Sequence, residues 1–100
     1  MSIFANESVS DKPYCVYRLR NITKKEIYHG ITVDFQKRYC QHSEGDVDAT
    51  SHWNFEKDTI ECQILLEDLP ESEASEYAHA FEHNPHKEFP GYAFIKTSGL

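Results

Sequence analysis

Two short β-like runs near the N-terminus, joined by five polar residues, constrain the fold of this chain more than any other feature. Residues 14–20 alternate with a period of two, and their apolar face carries Cys15, Tyr17 and Leu19. Residues 26–31 form the second run, and the polar connector between them has the length of a hairpin loop. The sequence therefore predicts an antiparallel β-hairpin.

A short helix is predicted to follow this hairpin. Phe35, Tyr39 and His42 recur at helical spacing, which places them on one face. Thr32 stands just before this pattern and is a residue type that caps helix N-termini. We expect a helix that starts after Thr32 and ends near Ser43.

The middle of the chain combines a weakly patterned segment with a clear strand signal. Residues 43–58 are acidic, and we expect a loop with one helical turn, anchored by Trp53 and Phe55. Residues 59–67 alternate like a half-buried strand that Pro70 ends. The residues expected to face inward are Ile60, Cys62, Ile64 and Leu66.

The last third of the chain predicts one helix and a closing strand. Glu71 to His83 carries an apolar stripe at helical spacing, made of Ala74, Tyr77, Ala78 and Phe81. Residues 92–95 are typical of a short strand. The predicted order is β-β-α-β-α-β. It indicates an α+β fold in which helices flank a small mixed or antiparallel sheet.

Length and composition limit the organisation of the chain. One hundred residues are enough for one domain, and we assign residues 1–12 to a flexible N-terminal arm and residues 13–97 to the domain. The longest aliphatic run has three residues, so no membrane span is predicted. Without an export signal, we expect a cytoplasmic protein. The widely spaced Cys15, Cys40 and Cys62 are expected to be reduced core residues.

The charge is unevenly distributed. The net charge is −7, which argues at first against a nucleic-acid partner. However, residues 1–38 contain seven of the ten basic residues and carry +3, whereas residues 39–100 carry −10. Such asymmetry is compatible with a local anion-binding face, and equally with ordinary solvated surface charge.

Helical geometry selects the side chains that border the predicted core. Arg38 and His42 lie along one edge of the first helix, and Glu82 flanks the apolar stripe of the second. Glu73 is the next carboxylate by the same criterion. One carboxylate beside tyrosine, arginine and histidine could hold Mg²⁺, which usually needs one or two protein carboxylates.

Residues 79–83 also form an H-x-x-E-H string, the signature of inverted zinc peptidases. The two histidines, His79 and His83, are predicted to point away from the apolar stripe, towards solvent. The motif also needs a distant third ligand, and few residues follow it. We therefore regard a catalytic zinc site as the weaker interpretation.

The order of the singled-out residues resembles the GIY-YIG nuclease domain. In that family a GIY strand precedes a YIG strand, a helix with an arginine, and a later helix with a metal-binding glutamate. The corresponding segments here are Cys15-Val16-Tyr17, Tyr28-His29-Gly30, Arg38 with His42, and Glu82. The spacings agree: eleven positions from Tyr17 to Tyr28, eight from Gly30 to Arg38, and four from Arg38 to His42. The resemblance covers about Pro13 to Ile95.

The motifs differ from the family pattern at several positions. Cys15 and Val16 replace the Gly and Ile of the first motif, and His29 replaces the Ile of the second. The family commonly has a small residue four positions before the glutamate, as Ala78 stands before Glu82. An alternative alignment, on Ala74, would place Ala78 at the metal position and imply an inactive nuclease.

The resemblance implies a metal-dependent endonuclease that hydrolyses DNA phosphodiester bonds. Glu82 would bind one Mg²⁺ or Mn²⁺, and Tyr17 would act as, or position, the general base. Arg38 would hold the phosphoryl oxygens in the same pocket as these two groups. Branched or modified DNA is the expected substrate, and a homodimer or a targeting protein partner would supply the specificity that one small domain lacks.

Four further residues receive supporting roles from the resemblance. Tyr28 and His42 would orient water or phosphate, Gly30 would permit close backbone approach, and Asn84 would make a supporting contact. The alternative is a catalytically inactive module of the same fold that acts by binding protein or nucleic acid.

Overall fold

The computed structural model describes residues 13–83 and 89–96. The strands are β1 (Tyr14–Asn21), β2 (Glu26–Thr32), β3 (Ile60–Leu69) and β4 (Ala93–Phe94), and the helices are α1 (Phe35–Ser43) and α2 (Glu71–His83). A single 3-10 turn, Asp48–Thr50, lies between α1 and β3. The predicted order of strands and helices is confirmed, and no helix within the described ranges could span a membrane.

The four strands form one mixed sheet in the order β3-β1-β2-β4. β1 pairs antiparallel with β2 and with β3, whereas β4 runs parallel to β2. The predicted hairpin is therefore the centre of the sheet. Lys25 completes its turn with a positive φ of 59°. β4 pairs only with Glu26 and Ile27, at the first residues of β2.

The two helices cover opposite faces of this sheet. On the α1 face, Tyr17, Leu19 and Tyr28 pack with Trp53, and Phe35 and Tyr39 of α1 lie against them. On the α2 face, Val16 packs against Ala74 and Ala78. Because neighbouring residues of a strand point to opposite faces, Val16 and Tyr17 belong to different core layers.

A β-bulge overturns the predicted facing of β3. Ile64 pairs with Tyr17, but Leu66 pairs with Val16, so two steps on β3 match one step on β1. Leu65 is the extra residue, and the alternation changes face there. Leu66 consequently packs on the α2 face, whereas Ile64 is 42% exposed. The prediction that both face the same core is wrong.

The predicted burial of the cysteines is also wrong in part. All three are free thiols, but Cys40 and Cys62 are exposed, and Cys15 is half-buried. Cys62 lies on β3, which is an edge strand of the sheet and carries exposed residues from position 61 to 64. Period-two alternation cannot distinguish a strand covered by a helix from one at an open edge.

The helix ends differ slightly from the prediction. Asp34, not Thr32, is the N-cap of α1, and its carboxylate accepts a hydrogen bond from the Lys37 amide at 3.1 Å. Thr32 acts one step earlier, because its hydroxyl oxygen accepts a hydrogen bond from the Asp34 amide. In α2 the bounds agree with the prediction, but Tyr77 is 46% exposed and does not belong to the buried stripe.

Candidate active site

Gly30 provides the space that Tyr17 fills. The two residues pair directly across β1 and β2. A Cβ on Gly30 would lie 2.5 Å from the Tyr17 hydroxyl oxygen and 2.6 Å from the ring Cζ. The close approach predicted for Gly30 is therefore made by a side chain rather than by backbone, and any larger residue there would displace the Tyr17 hydroxyl.

A buried chain of polar contacts continues from Tyr17. The Tyr17 hydroxyl lies 2.8 Å from His42 Nε2, and His42 Nδ1 lies 2.7 Å from Thr50 Oγ1. All three side chains are completely buried. β1, α1 and the 3-10 turn are thus connected by side chains whose polar atoms are paired, as buried polar atoms generally are.

Tyr28 lies beside this chain on the next strand. Its ring centroid is 5.0 Å from that of His42, in an edge-on contact, and 6.1 Å from that of Tyr17, in a tilted contact. Tyr28 is 6% exposed. Edge-on and tilted contacts between aromatic rings add to the stability of the packed cluster and fix the ring planes.

Arg38 is the half-buried cation of the cluster. Its Nη1 donates a hydrogen bond to Gln41 Oε1 at 2.9 Å, which restrains the side chain along α1. The same residue lines a cleft of about 640 Å³ between α1 and the end of β2, together with Lys37. Arg38 therefore connects the buried tyrosines to a surface cleft with two cations.

The electrostatics of the cluster follow from burial and from Arg38. Burial raises the pKa of Tyr17 well above its usual value, the neighbouring Tyr28 raises it further, and the Arg38 guanidinium opposes both. Burial likewise lowers the pKa of His42 to about 4, and the charge of Arg38 acts in the same direction. His42 is therefore a neutral imidazole near pH 7.

Glu82, the predicted metal ligand, lies on the other helix, α2. The sequence predicts a half-buried carboxylate, and the structure buries it completely, at 0% exposure. Burial is the largest cause of the raised pKa of Tyr28, Arg38 opposes it, and the Glu82 carboxylate adds to it. Tyr28 therefore lies within the electrostatic influence of both charges. Glu73, the second choice, is exposed.

The structure thus brings Tyr17, Tyr28, Arg38 and His42 together on the α1 face, while Glu82 belongs to α2 on the opposite face. β4 pairs with only the first two residues of β2, and Tyr28 immediately follows them. The predicted meeting of the Glu82 carboxylate with Tyr17 and Arg38 in one pocket stays a prediction.

The carboxylate of Glu82 is a donor that suits a hard cation such as Mg²⁺. Within residues 13–83 and 89–96, no group of three or more His, Cys, Asp or Glu side chains is arranged to hold a metal. Mg²⁺ commonly uses one or two carboxylates and completes its shell with water and phosphate oxygens. A single carboxylate such as Glu82 is compatible with that requirement.

The H-x-x-E-H string does not form a zinc site in the described structure. His79 and His83 are exposed, with ring centroids 4.2 Å apart, whereas the side chain of Glu82 is completely buried. The two histidines therefore face solvent and the glutamate faces the protein interior. Asn84, the predicted supporting residue, lies outside the described residues.

Sequence reasoning missed Thr50. It lies in the weakly patterned segment, and a threonine among polar residues carries no periodic signal. The prediction of one helical turn in this segment is confirmed by Asp48–Thr50, and Trp53 is buried as expected. Only the spatial proximity of that turn to His42 reveals the contact.

One of three comparisons with known proteins identifies the family of the chain. A family model described as the GIY-YIG catalytic domain matches residues 13–88, which is most of the chain. The searches of curated proteins and of solved structures found no match. The matched range contains both tyrosine motifs, the helix with Arg38, and Glu82. The chain therefore belongs to the GIY-YIG family, whose domains are typically endonucleases.

Proposed function

We propose that the protein is a divalent-metal-dependent endonuclease that hydrolyses DNA phosphodiester bonds. The main support is the position of Arg38, a half-buried cation that lines a surface cleft beside the tyrosine cluster, in a chain that matches the model of a catalytic domain. A cation for phosphate and a carboxylate for metal are groups that phosphodiester hydrolysis uses, and Arg38 and Glu82 would supply them.

In this proposal Arg38 binds the phosphoryl oxygens. Its guanidinium presents several donors in a fixed plane, and its place on the cleft lets it contact a phosphate that enters from solvent. The contact would strengthen as negative charge develops on the phosphoryl oxygens in the transition state. Lys37, on the same cleft, would add a less directional positive charge.

Tyr17 and His42 would prepare the attacking water. A phenol titrates near 10 in water, and burial raises the pKa of Tyr17 further. Tyr17 therefore needs Arg38 and a hydrogen-bond donor if it is to act as, or position, the general base. His42, which is neutral, can hold the Tyr17 oxygen without adding a competing charge. Tyr28 would orient the water or the phosphate.

Glu82 would hold one Mg²⁺ or Mn²⁺ at the edge of β2. When bound, such an ion neutralises charge on the phosphoryl oxygens and orients the scissile phosphate. The role of the chain here is to supply one carboxylate in a site sheltered from solvent. Besides burial, the Glu82 carboxylate raises the pKa of Tyr28, so the two side chains are electrostatically coupled.

The proposal is tested by cleavage of plasmid and branched DNA in the presence of Mg²⁺ or Mn²⁺. Arg38→Lys keeps the charge but removes the planar donor set, and Glu82→Gln keeps the volume of a buried side chain but removes its charge. We expect each to reduce cleavage by at least about a hundredfold. Glu76→Gln, an exposed position on the same helix as Glu82, is the matched control and should retain activity.

Binding of Mn²⁺ provides a second measurement. Electron paramagnetic resonance should detect Mn²⁺ bound to the wild type and to the Glu76 variant, but much less to Glu82→Gln. Equal cleavage by all variants would show that the activity is a contaminant. Folded protein that neither cleaves DNA nor binds Mn²⁺ would refute the nuclease proposal.

A non-catalytic binding module of the same fold is the second candidate. The observation that favours it is the complete burial of Glu82, since a carboxylate enclosed by protein can serve the structure of the domain alone. In that case Glu82→Gln would lower the thermal stability without any associated loss of metal binding. DNA or protein binding would then persist in the absence of divalent ions.

A further inference from the structure

Thr50 is positioned as firmly as the residues that the motifs identify. It ends the 3-10 turn and is completely buried. Its amide donates a hydrogen bond to the Val47 carbonyl at 3.1 Å, and its carbonyl accepts one from the Trp53 amide at 3.0 Å. Trp53 Nε1 in turn donates to Glu26 Oε1 at 2.7 Å, which attaches the segment to β2. These hydrogen bonds therefore fix the backbone position from which the Thr50 side chain extends.

The hydroxyl of Thr50 has a defined partner. Among the residues that the structure describes, its hydrogen bond is with His42 Nδ1, at 2.7 Å. A hydroxyl carries one hydrogen, and leaving a buried donor unpaired costs more than leaving a lone pair unused. The lower-energy arrangement has Thr50 Oγ1 donating its hydrogen to His42 Nδ1.

The direction of the Thr50–His42 hydrogen bond determines the direction of the next hydrogen bond, between His42 and Tyr17. A neutral imidazole has one nitrogen that donates and one that accepts. If Nδ1 accepts from Thr50, then Nε2 carries the hydrogen and donates it to the Tyr17 oxygen 2.8 Å away. The phenolic hydrogen of Tyr17 then points away from His42 and is donated to Tyr28, whose side-chain hydrogen bond, besides burial, raises the pKa of Tyr17 as an acceptor does.

We propose that Thr50 is a positioning residue that holds His42 in the Nε2–H tautomer, so that the imidazole donates a hydrogen bond to the Tyr17 oxygen. Its relevance to catalysis rests on the proposed nuclease function, but the tautomer itself does not. A donor directed at the phenol oxygen favours the phenolate over the phenol. Thr50 would thereby assist Tyr17 through His42 without touching substrate.

The surroundings of His42 are compatible with a neutral donor. Within residues 13–83 and 89–96, the polar groups that face it are Tyr17 and Tyr28 from the sheet, Arg38 from its own helix, and Thr50 from the turn. None of these four is a carboxylate that would favour a protonated imidazole. The positive charge of Arg38 further disfavours a second proton on the ring.

The tautomer can be measured directly by long-range ¹H–¹⁵N correlation spectra of the histidine rings, which distinguish protonated from unprotonated nitrogens. We expect Nε2–H in the wild type and in Thr50→Ser, which retains the hydroxyl. Thr50→Val has nearly the same shape without the hydroxyl, and we expect Nδ1–H to become populated. If the valine variant does not fold, Thr50→Ala removes the same donor with less bulk.

Tyr17→Phe is the matched control, because it removes the other partner of His42. If Thr50 sets the tautomer, the Nε2–H form persists in this variant. A wild type with Nδ1–H, a Thr50→Val spectrum that keeps pure Nε2–H, or a change caused by Tyr17→Phe alone would each overturn the inference.

Cleavage kinetics then test the catalytic consequence. We expect Thr50→Val to lower kcat by about tenfold, equivalent to one hydrogen bond, with little change in KM, and Thr50→Ser to restore it. A wild type that cleaves no DNA but shows the Thr50-dependent tautomer would refute only the nuclease function. A wild type that cleaves DNA but whose His42 tautomer does not depend on Thr50 would refute only this inference.

Discussion

The missing side chain of Gly30 defines the position of the Tyr17 hydroxyl more tightly than any hydrogen bond. With Gly30→Ala, the new Cβ would overlap the Tyr17 ring, because the nearest atoms would be 2.5 to 2.9 Å away. We expect a loss of about 1–3 kcal/mol in the free energy of unfolding. Cleavage should fall by about a hundredfold, since small displacements of reacting groups have effects of that size.

Gly45→Ala is the matched control for this variant. Gly45 has a φ of +82°, so alanine is strained there, but no atom lies within 4 Å of the added Cβ. It should also destabilise the fold, by about 1 kcal/mol, yet leave cleavage unchanged. Thermal unfolding and DNA cleavage together separate the two effects. Normal cleavage by Gly30→Ala would show that the Tyr17 position does not matter.

His42 makes the stability of the domain dependent on pH. Its pKa is about 4 in the folded protein and 6.5 in the unfolded chain, because burial excludes the imidazolium. Between these values the unfolded state binds more protons, so stability rises with pH from 4 to 6.5 and the contribution is constant above. Acidification across this window should remove about 3 kcal/mol.

The His42 contribution is isolated by comparing the wild type with His42→Gln in urea unfolding at pH 4 to 8. The difference between the two free energies should be largest above pH 6.5 and should shrink towards pH 4. Curves that run parallel over this range would show that His42 titrates normally in the folded state.

At the scale of whole elements, the hairpin and both helices follow from local pattern, whereas the edge strand does not. The period-two run around Tyr17 and the helical stripe with Ala74 and Ala78 are buried by elements that pack directly against them. The sequence pattern alone is therefore sufficient to predict their burial. The bulge at Leu65 depends on how β3 aligns with β1, and no local pattern within β3 predicts it. Likewise, Thr50 contacts His42 only because the loop that carries it folds back towards α1.

Because of the bulge, Ile64 and Leu66 contribute unequally to the stability of the fold, although simple alternation would place both side chains on the same face. Leu66 packs against Val16 on the α2 face, whereas Ile64 is 42% exposed. We expect Leu66→Ala to reduce the free energy of unfolding by about 2 kcal/mol and Ile64→Ala by less than about 1 kcal/mol. Urea unfolding measures both. Equal losses would mean that the strand is regular and that Leu65 is not an extra residue.

At the scale of the whole molecule, the charge restricts how DNA can be bound. The net charge of −7 repels a polyanion, so attraction must come from a small region. The cleft with Lys37 and Arg38 is such a region in the described structure. A small site makes few phosphate contacts, so we expect this domain alone to bind DNA weakly.

The number of phosphate contacts can be counted from the salt dependence of binding. Each contact adds about 0.9 to the slope of log K against log salt concentration on duplex DNA, so two cations predict a slope near about −2. Lys37→Ala should reduce its magnitude by about one, whereas Lys57→Ala, an exposed change in the acidic part of the chain, should not. Fluorescence anisotropy with labelled DNA in EDTA measures this without cleavage. A steep slope that Lys37→Ala leaves unchanged would place the DNA on another surface, because the cleft can supply no more than the charges that line it.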